Sequence, residues 1–198
     1  MKRVFDLLLS ATGLVLLSPL LGWIAWRIYR EDRGPVFYRG VRVGLHGRIF
    51  RIFKFRTMVV NAEKLGGSST PDDDPRITRV GKRLRKYKLD ELPQLLNVLK
   101  GEMSFVGPRP EVLSEVETYN EEEKRILSVR PGITDWASLK FHNEGEILKG
   151  ATDPHQAYRE RIRPGKLKLA LQYVDEHSFM TDMRIIFATL STLIRTRT

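Results

Sequence analysis

The chain has no cysteine in its 198 residues, which excludes disulfides, thiolate nucleophiles and cysteine-bound zinc. Histidine is sparse: His46, His142, His155 and His177 never fall in the HExxH spacing of a zinc hydrolase. There is no internal repeat and no low-complexity tract, and the length suits one domain with a real core. Acidic residues are the minority charge: 24 Asp and Glu against 34 Lys and Arg leave a net +10. That excess favours anionic partners, whether nucleic acid, anionic lipid or phosphorylated substrates, and does not choose among them.

What the chain does have is one long apolar run. From Val4 to Trp26 the only formal charge is Asp6, and about 20 apolar residues suffice to cross a bilayer. The run is too long for a signal peptide, and no small-residue cleavage site follows it. Ser18-Pro19 lies inside it. Proline removes a helical hydrogen bond and crowds the preceding turn, and Ser18 can supply a partner for a carbonyl so freed. Cations flank both ends, Lys2 and Arg3 before, Arg27, Arg30 and Arg33 after, so the positive-inside rule favours neither end as external. Two arrangements fit: a helix that enters, breaks at Pro19 and leaves on the same face, or a kinked single-pass anchor.

Beyond the run, residues 31–47 read as Gly- and Arg-rich turns around a short strand at Val36 to Tyr38. Residues 48–57 read as one strand with Phe53 and Phe55 on one face and Lys54 and Arg56 on the other. Residues 61–75, with Gly66-Gly67-Ser68-Ser69 and three aspartates, Asp72, Asp73 and Asp74, read as a loop. Leu92, Leu95, Leu96 and Leu99 then form a helical stripe. Pro93 fits only its first turn, so this helix starts near Asp90, and Gly101 ends it. Asp90 reads either as an N-cap or as a reactive carboxylate where helix-start amides attract phosphate. The cations Arg85, Lys86 and Lys88 precede the Asp90-Glu91 pair, and Gly107-Pro108-Arg109-Pro110 follows the helix as a rigid turn carrying one more. Carboxylates amid cations at a helix start suit phosphate and metal chemistry.

Asn120 and Glu123 are spaced as a capping box, and Arg130 to Thr134 reads as a turn. Near the C-terminus Ile186, Leu190, Leu193 and Ile194 share one side, with Arg195 and Arg197 after them. That pattern fits a helix on a membrane surface or a terminal helix docked on the core.

Several stretches together resemble the bacterial sugar transferases, the small monotopic phosphoglycosyl transferases that load a polyprenyl-phosphate carrier. They are Asp74-Pro75-Arg76-Ile77-Thr78-Arg79-Val80-Gly81, Leu89-Asp90-Glu91-Leu92-Pro93-Gln94-Leu95, and Asn97 through Pro110. Lys54-Phe55-Arg56-Thr57-Met58, Arg130-Pro131-Gly132-Ile133-Thr134 and Ser18-Pro19 extend the likeness over essentially the whole chain. The resemblance implies an α+β, mainly helical fold: a re-entrant membrane helix over 1–30, broken at Ser18-Pro19, and a cytosolic catalytic domain over 31–198 with amphipathic interfacial helices and a small β element. It implies a monotopic enzyme at the cytoplasmic face of the bacterial inner membrane. The enzyme would transfer a sugar 1-phosphate from a nucleotide sugar, usually a UDP-sugar, to undecaprenyl phosphate and so begin assembly of a surface glycan or exopolysaccharide.

By the same resemblance Asp90 is the nucleophile, Glu91 is its Mg²⁺-binding neighbour, and Asp90 also faces the ion. Lys54, Arg85 and Arg109 are expected phosphate contacts, with Pro108 and Pro110 holding Arg109. Asp182 and His142 are further candidates. The segment Asp135 to Glu144 departs from the commoner family pattern, and His142 stands where an arginine is usual. No multi-span N-terminal domain is expected, making this a minimal version, and a homodimer is compatible with the sequence. A nucleic-acid binder is the rival reading of the basic charge, but it gives Asp90 and Pro108-Arg109-Pro110 no role, so nucleic acid is not an expected partner. A hydrolase using water as acceptor and a non-catalytic scaffold are the other rivals.

Overall fold

The computed structural model describes residues 1–65 and 70–195. Gly66-Gly67-Ser68-Ser69 of the expected loop lie outside the described residues, as do Arg197 and the side chains of Leu193, Ile194 and Arg195. Helix α1 runs from Lys2–Asp32 as a single helix with Pro19 inside it. The carbonyl that Pro19 leaves without an N–H is that of Val15, and the Ser18 hydroxyl donates to it at 2.8 Å. Arg33 closes the helix in the left-handed conformation, its N–H returning to the Tyr29 carbonyl.

Both ends of α1 are fastened to the folded domain, while its middle touches the domain at Gly13 and leaves its other face bare. At the N-terminal end Arg3 donates to the carbonyls of Val98 and Leu99 at 2.6 and 3.0 Å. The one acid of the apolar run, Asp6, is buried and accepts from the Ser104 hydroxyl and the Phe105 N–H. Lys2 pairs with Asp182, whose other oxygen accepts from Tyr173. At the far end Ile24 and Ile28 pack with Phe55 and Leu84. Between these ends Val15 and Leu16 are more than 70% exposed, at 72% and 73%. Bare aliphatic surface of that kind on a long apolar helix calls for lipid rather than water.

Strands β1 (Phe37–Tyr38), β2 (Val41–Val43), β3 (Ile49–Arg51) and β4 (Lys54–Phe55) form two antiparallel pairs, β1 with β4 and β2 with β3. The single strand expected over 48–57 is therefore two strands in different pairs. Asn97 is the reason. Its buried side chain accepts from the Phe53 N–H and donates to the Arg51 carbonyl, replacing ladder partners where the chain bends. Beyond the bend two cations two residues apart go to different tasks. Lys54 goes to the candidate site, while Arg56 grips Asp32 and the Pro35 and Met58 carbonyls, fastening the end of α1.

Helix α2 (Arg79–Lys86) is capped by Thr78. A 3₁₀ turn (Leu89–Gln94) then leads into α3 (Leu95–Lys100), which ends at Gly101 with φ 83°. The expected leucine stripe is half-buried apart from Leu95, and the deepest positions on α3 are Asn97 and Val98. Strand β5 (Ser104–Val106) pairs in parallel with β6 (Gly132–Thr134). The turn expected at 130–134 is thus a strand, because Gly107 and Gly132 let the two backbones touch. The Gly132 N–H reaches the Pro108 carbonyl at 3.0 Å and the Gly107 N–H reaches that of Thr134 at 3.1 Å.

The short helix α4 (Leu113–Val116) precedes the reciprocal Asn120–Glu123 capping box, which forms as expected. Helices α5 (Trp136–Lys140), α6 (Glu144–Ile147), α7 (Pro154–Arg161), α8 (Arg163–Glu176) and α9 (Phe179–Arg195) complete the chain. Helix α9 docks on the core by one face, as one of the two expected arrangements has it, and leaves another apolar face exposed. Ile185 is fully buried against Val106 and Tyr173, while Phe179, Met180, Phe187 and Leu190 stay exposed. Phe179 meets Phe5 of α1 edge to face, so the exposed apolar faces of α1 and α9 adjoin.

Candidate active site

Three elements converge on Glu91. The 3₁₀ turn supplies Asp90 and Glu91, β4 supplies Lys54, and the loop after β5 supplies Arg109. Lys54 Nζ donates to Glu91 Oε1 at 2.8 Å, and Arg109 donates to the same oxygen and, at 3.4 Å, to Oε2. Lys54 and Glu91 are only 18% and 13% exposed, so water screens the pair little. Pro108 and Pro110 are buried on either side of Arg109. Lys88, at φ 55°, turns the chain into the 3₁₀ helix and is its N-cap, so Asp90 does not cap it. Instead Asp90 is 9% exposed and its buried Oδ1 has no hydrogen-bond partner among the described residues. Gln94, one turn on, likewise leaves its buried Nε2 without a partner among them. A carboxylate oxygen and an amide buried in this way are ready to receive a ligand.

The environment drives the two adjacent carboxyls apart. Burial and the Glu91 charge push Asp90 above the usual aspartate range, against the pull of Lys54, Lys88 and Arg85. Burial also opposes ionisation of Glu91, yet Arg109 and Lys54 hold it well below the usual range. Lys54 is itself drawn down by burial, with Glu91 and Asp90 pulling the other way. Glu91 is therefore a fixed anion balanced by two cations. Asp90 is the less committed group, destabilised as an anion and free at one oxygen.

Asp90 Oδ1, buried, and Glu91 Oε2, held only by the 3.4 Å bond from Arg109, are carboxylate oxygens on adjacent residues. Among the described residues no group of three or more His, Cys, Asp or Glu side chains gathers. A hard divalent cation here would need phosphate oxygens and water to fill its shell, which is how Mg²⁺ is commonly held.

A cavity of about 580 Å³ opens beside this cluster. Lys88, Glu91 and Arg109 line one part of it, while Leu9, Gly13 and Leu17 of α1 and Ile186 and Leu190 of α9 line another. The charged cluster and the exposed apolar helices thus share one space. Its remaining wall carries His142, Glu144, Tyr158, Lys166 and Glu111. Burial pushes the Glu111 carboxyl up, and Tyr158 donates to it at 3.3 Å.

Of the sequence-predicted residues, Lys54, Glu91 and Arg109 meet in direct contact beside Asp90, with Pro108 in the cavity wall. The Arg85 side chain makes no hydrogen bond or ion pair among the described residues, and its charge reaches Asp90 through space. His142 lies on the cavity rim, bonded to the Leu139 carbonyl. Asp182 is not among the cavity residues and is occupied with Lys2 and Tyr173. Sequence reasoning missed Lys88, Gln94, Glu111, Tyr158 and Lys166. Glu111 directly follows Pro110 and was within reach, whereas nothing in the sequence brings Tyr158 or Lys166 to this wall.

Residues 1–196 match the family model for bacterial sugar transferases. The chain is 39% identical, over 98% of its own length, to a UDP-N-acetylgalactosamine-undecaprenyl-phosphate N-acetylgalactosaminephosphotransferase of Aeromonas hydrophila, and covers 43% of that protein. It is 36% identical, over 96% of its length, to the UDP-glucose:undecaprenyl-phosphate glucose-1-phosphate transferase of Escherichia coli K12, and covers 39% of it. It is 35% identical, over 99% of its length, to the exopolysaccharide production protein ExoY of Sinorhizobium fredii, and covers 86% of it. The chain therefore spans about two fifths of the first two relatives and most of the third.

Proposed function

Because the chain belongs to the bacterial sugar transferase family, we propose that it transfers a sugar 1-phosphate from a nucleoside diphosphate sugar, a UDP-sugar first among candidates, to undecaprenyl phosphate. The observation that carries this reading is one cavity lined both by Lys88, Glu91 and Arg109, directly beside the buried Asp90, and by the apolar walls of α1 and α9. Its two halves match the two substrates, one water-soluble and one lipid.

In the first step a carboxylate oxygen of Asp90 attacks the β-phosphorus of the donor. The bond from that phosphorus to the bridging oxygen breaks, the nucleoside monophosphate leaves with the electron pair, and an aspartyl phosphosugar remains. In the second step an oxygen of undecaprenyl phosphate attacks the same phosphorus. The acyl-phosphate bond breaks, Asp90 regains its carboxylate, and the sugar ends on a polyprenyl diphosphate. No general base is needed, since Asp90 reacts as the anion and the acceptor phosphate already carries charge. Arg109 and Lys54, paired with Glu91 at rest, turn toward phosphate oxygens when a diphosphate enters; guanidinium suits a bidentate grip on them. The buried Gln94 amide is a further donor. Mg²⁺, held by Asp90 and Glu91, would supply neutralisation of the phosphate charge when bound.

The membrane arrangement proposed is monotopic and re-entrant, from the cytoplasmic face of the bacterial inner membrane. Its support is that both ends of α1 dock on one domain while Val15 and Leu16 stand bare between them. A span crossing the bilayer would put those two ends on opposite faces of the membrane, where one domain could not hold both.

The purified chain, given Mg²⁺, undecaprenyl phosphate and a panel of nucleotide sugars, is expected to release nucleoside monophosphate continuously only when the carrier is present, and without it to stop at no more than one equivalent per protein. Continuous release that ignores the carrier would mean a hydrolase, and the proposal would fail. The pH profile adds a second check. Asp90 must be ionised to attack, and burial raises its carboxyl, so turnover should fall on acidification at a pH above the ordinary aspartate value of 3.8. The fall should approach about tenfold per pH unit for one proton. Lys54→Met should shift that limb further up, because Lys54 is the first of the charges that hold the carboxyl down.

A further inference from the structure

We propose that the groove between the end of α1 and the start of α2 binds the phosphodiester headgroup of an anionic phospholipid. The groove, about 490 Å³, is lined by Trp26, Arg27, Arg30 and Glu31 of α1 and by Arg79 and Arg83 of α2. It shares no lining residue with the reaction cavity, and the inference does not depend on the reaction proposed above.

Four guanidinium groups around one groove repel one another unless an anion sits among them. Among the described residues none of the four reaches a carboxylate by hydrogen bond or ion pair. The one acid present, Glu31, is turned to α2, where both its oxygens lie 3.2–3.3 Å from the Val80 N–H. Glu31 thus serves the first turn of α2 and leaves the arginines uncompensated. Arg27 and Arg30 lie over the Trp23 and Trp26 rings at 5.3 and 5.2 Å. Stacking of that kind fixes a guanidinium plane while its N–H edge stays free for phosphate oxygens.

The surroundings select a lipid over a soluble anion. Trp23 and Trp26 are half-exposed at the end of the apolar run, where indoles settle at headgroup level. One turn back along α1 the bare side of Gly22 and the exposed Trp23 continue as apolar surface. Acyl chains match that flank; free phosphate, nucleotide and nucleic acid do not. The groove would give the domain a second fixed point on the membrane, apart from the reaction cavity.

The test uses tryptophan quenching of the full chain in phosphatidylcholine nanodiscs doped with a brominated lipid. Brominated phosphatidylglycerol is expected to half-quench at a fraction about tenfold lower than brominated phosphatidylcholine, since each cation near an anionic surface contributes about 1 kcal/mol. The Arg79→Gln/Arg83→Gln pair should abolish this preference. The Arg33→Gln/Lys82→Gln pair removes the same charge from the same two helices outside the groove, and should keep the preference within about twofold. Absence of preference in the parent overturns the proposal. So does equal loss in both pairs, which would mean diffuse surface charge. Suppression of the preference by inorganic phosphate, beyond that by chloride at matched ionic strength, would make the groove a site for free anions and also overturns it.

Discussion

Replacing Asp90 with asparagine is expected to lower sugar-phosphate transfer by about 10⁴-fold or more, the scale seen when a covalent nucleophile is removed, without weakening the fold. Asparagine keeps the shape and one carbonyl oxygen but cannot form the acyl phosphate. The parent, given labelled donor and no carrier, should retain label that hydroxylamine releases, and the variant should retain none. The stability arm follows from the raised carboxyl. A folded-state value above the unfolded one means that stability is fully present in acid and is lost as the pH rises through the folded value. At neutral pH the parent holds an anion at a cost that the amide does not bear. Thermal unfolding of Asp90→Asn at pH 7 should therefore occur at or above the parent temperature, and the gap should close in acid. Retention of more than about 1% of parental turnover would remove Asp90 from the nucleophile's role, given the scale of loss above.

Gly107→Ala should be among the most damaging single methyl groups in the domain, together with Gly81→Ala and Gly132→Ala, whose added Cβ atoms also run into backbone. A Cβ built there lies 2.2 Å from the Arg130 carbonyl oxygen and 3.1 Å from the Gly132 nitrogen, both backbone atoms that cannot rotate away. The β5–β6 pair must spread to admit it, and the Pro108-Arg109-Pro110 turn starts at that point. A loss of about 3 kcal/mol or more is expected, in the upper range for a single substitution. Gly47→Ala separates this effect from backbone strain. Gly47 has φ 75° but nothing within 4 Å of a built Cβ, so its cost should be near 1 kcal/mol. Melting of the two variants within a few degrees of each other would show that β5 and β6 do not cross as closely as described.

The parts legible in the sequence were those whose chemistry is local. The Asp90-Glu91 pair, the Pro-bracketed Arg109, the Asn120–Glu123 box and the Gly101 stop each lie within a few residues of their cause. Even the service of Ser18 to a carbonyl freed by Pro19 is a matter of one helical turn. What could not be read depends on distant backbone. Period two placed Lys54 and Arg56 on one face, but only the packing of the 3₁₀ turn and the end of α1 around them, from 37 residues on and 24 residues back, decides that one reaches Glu91 and the other Asp32. Gly132 looked like a turn because a parallel strand partner 28 residues away leaves no local trace. Glu111, Tyr158 and Lys166 come from separate helices and loops, and the cavity wall they form exists only after packing.

The anchors of the first helix also impose an order in time. Arg3 and Asp6 leave the ribosome before their partners, the Val98 and Leu99 carbonyls and Ser104, which follow about a hundred residues later. The partner of Lys2, Asp182, lies 180 residues on. Closing loops of that length is slow compared with forming a helix. In the membrane arrangement proposed above, the apolar segment therefore meets lipid with its first turn unfastened, and of these contacts the seam between α1 and α9 is sewn last.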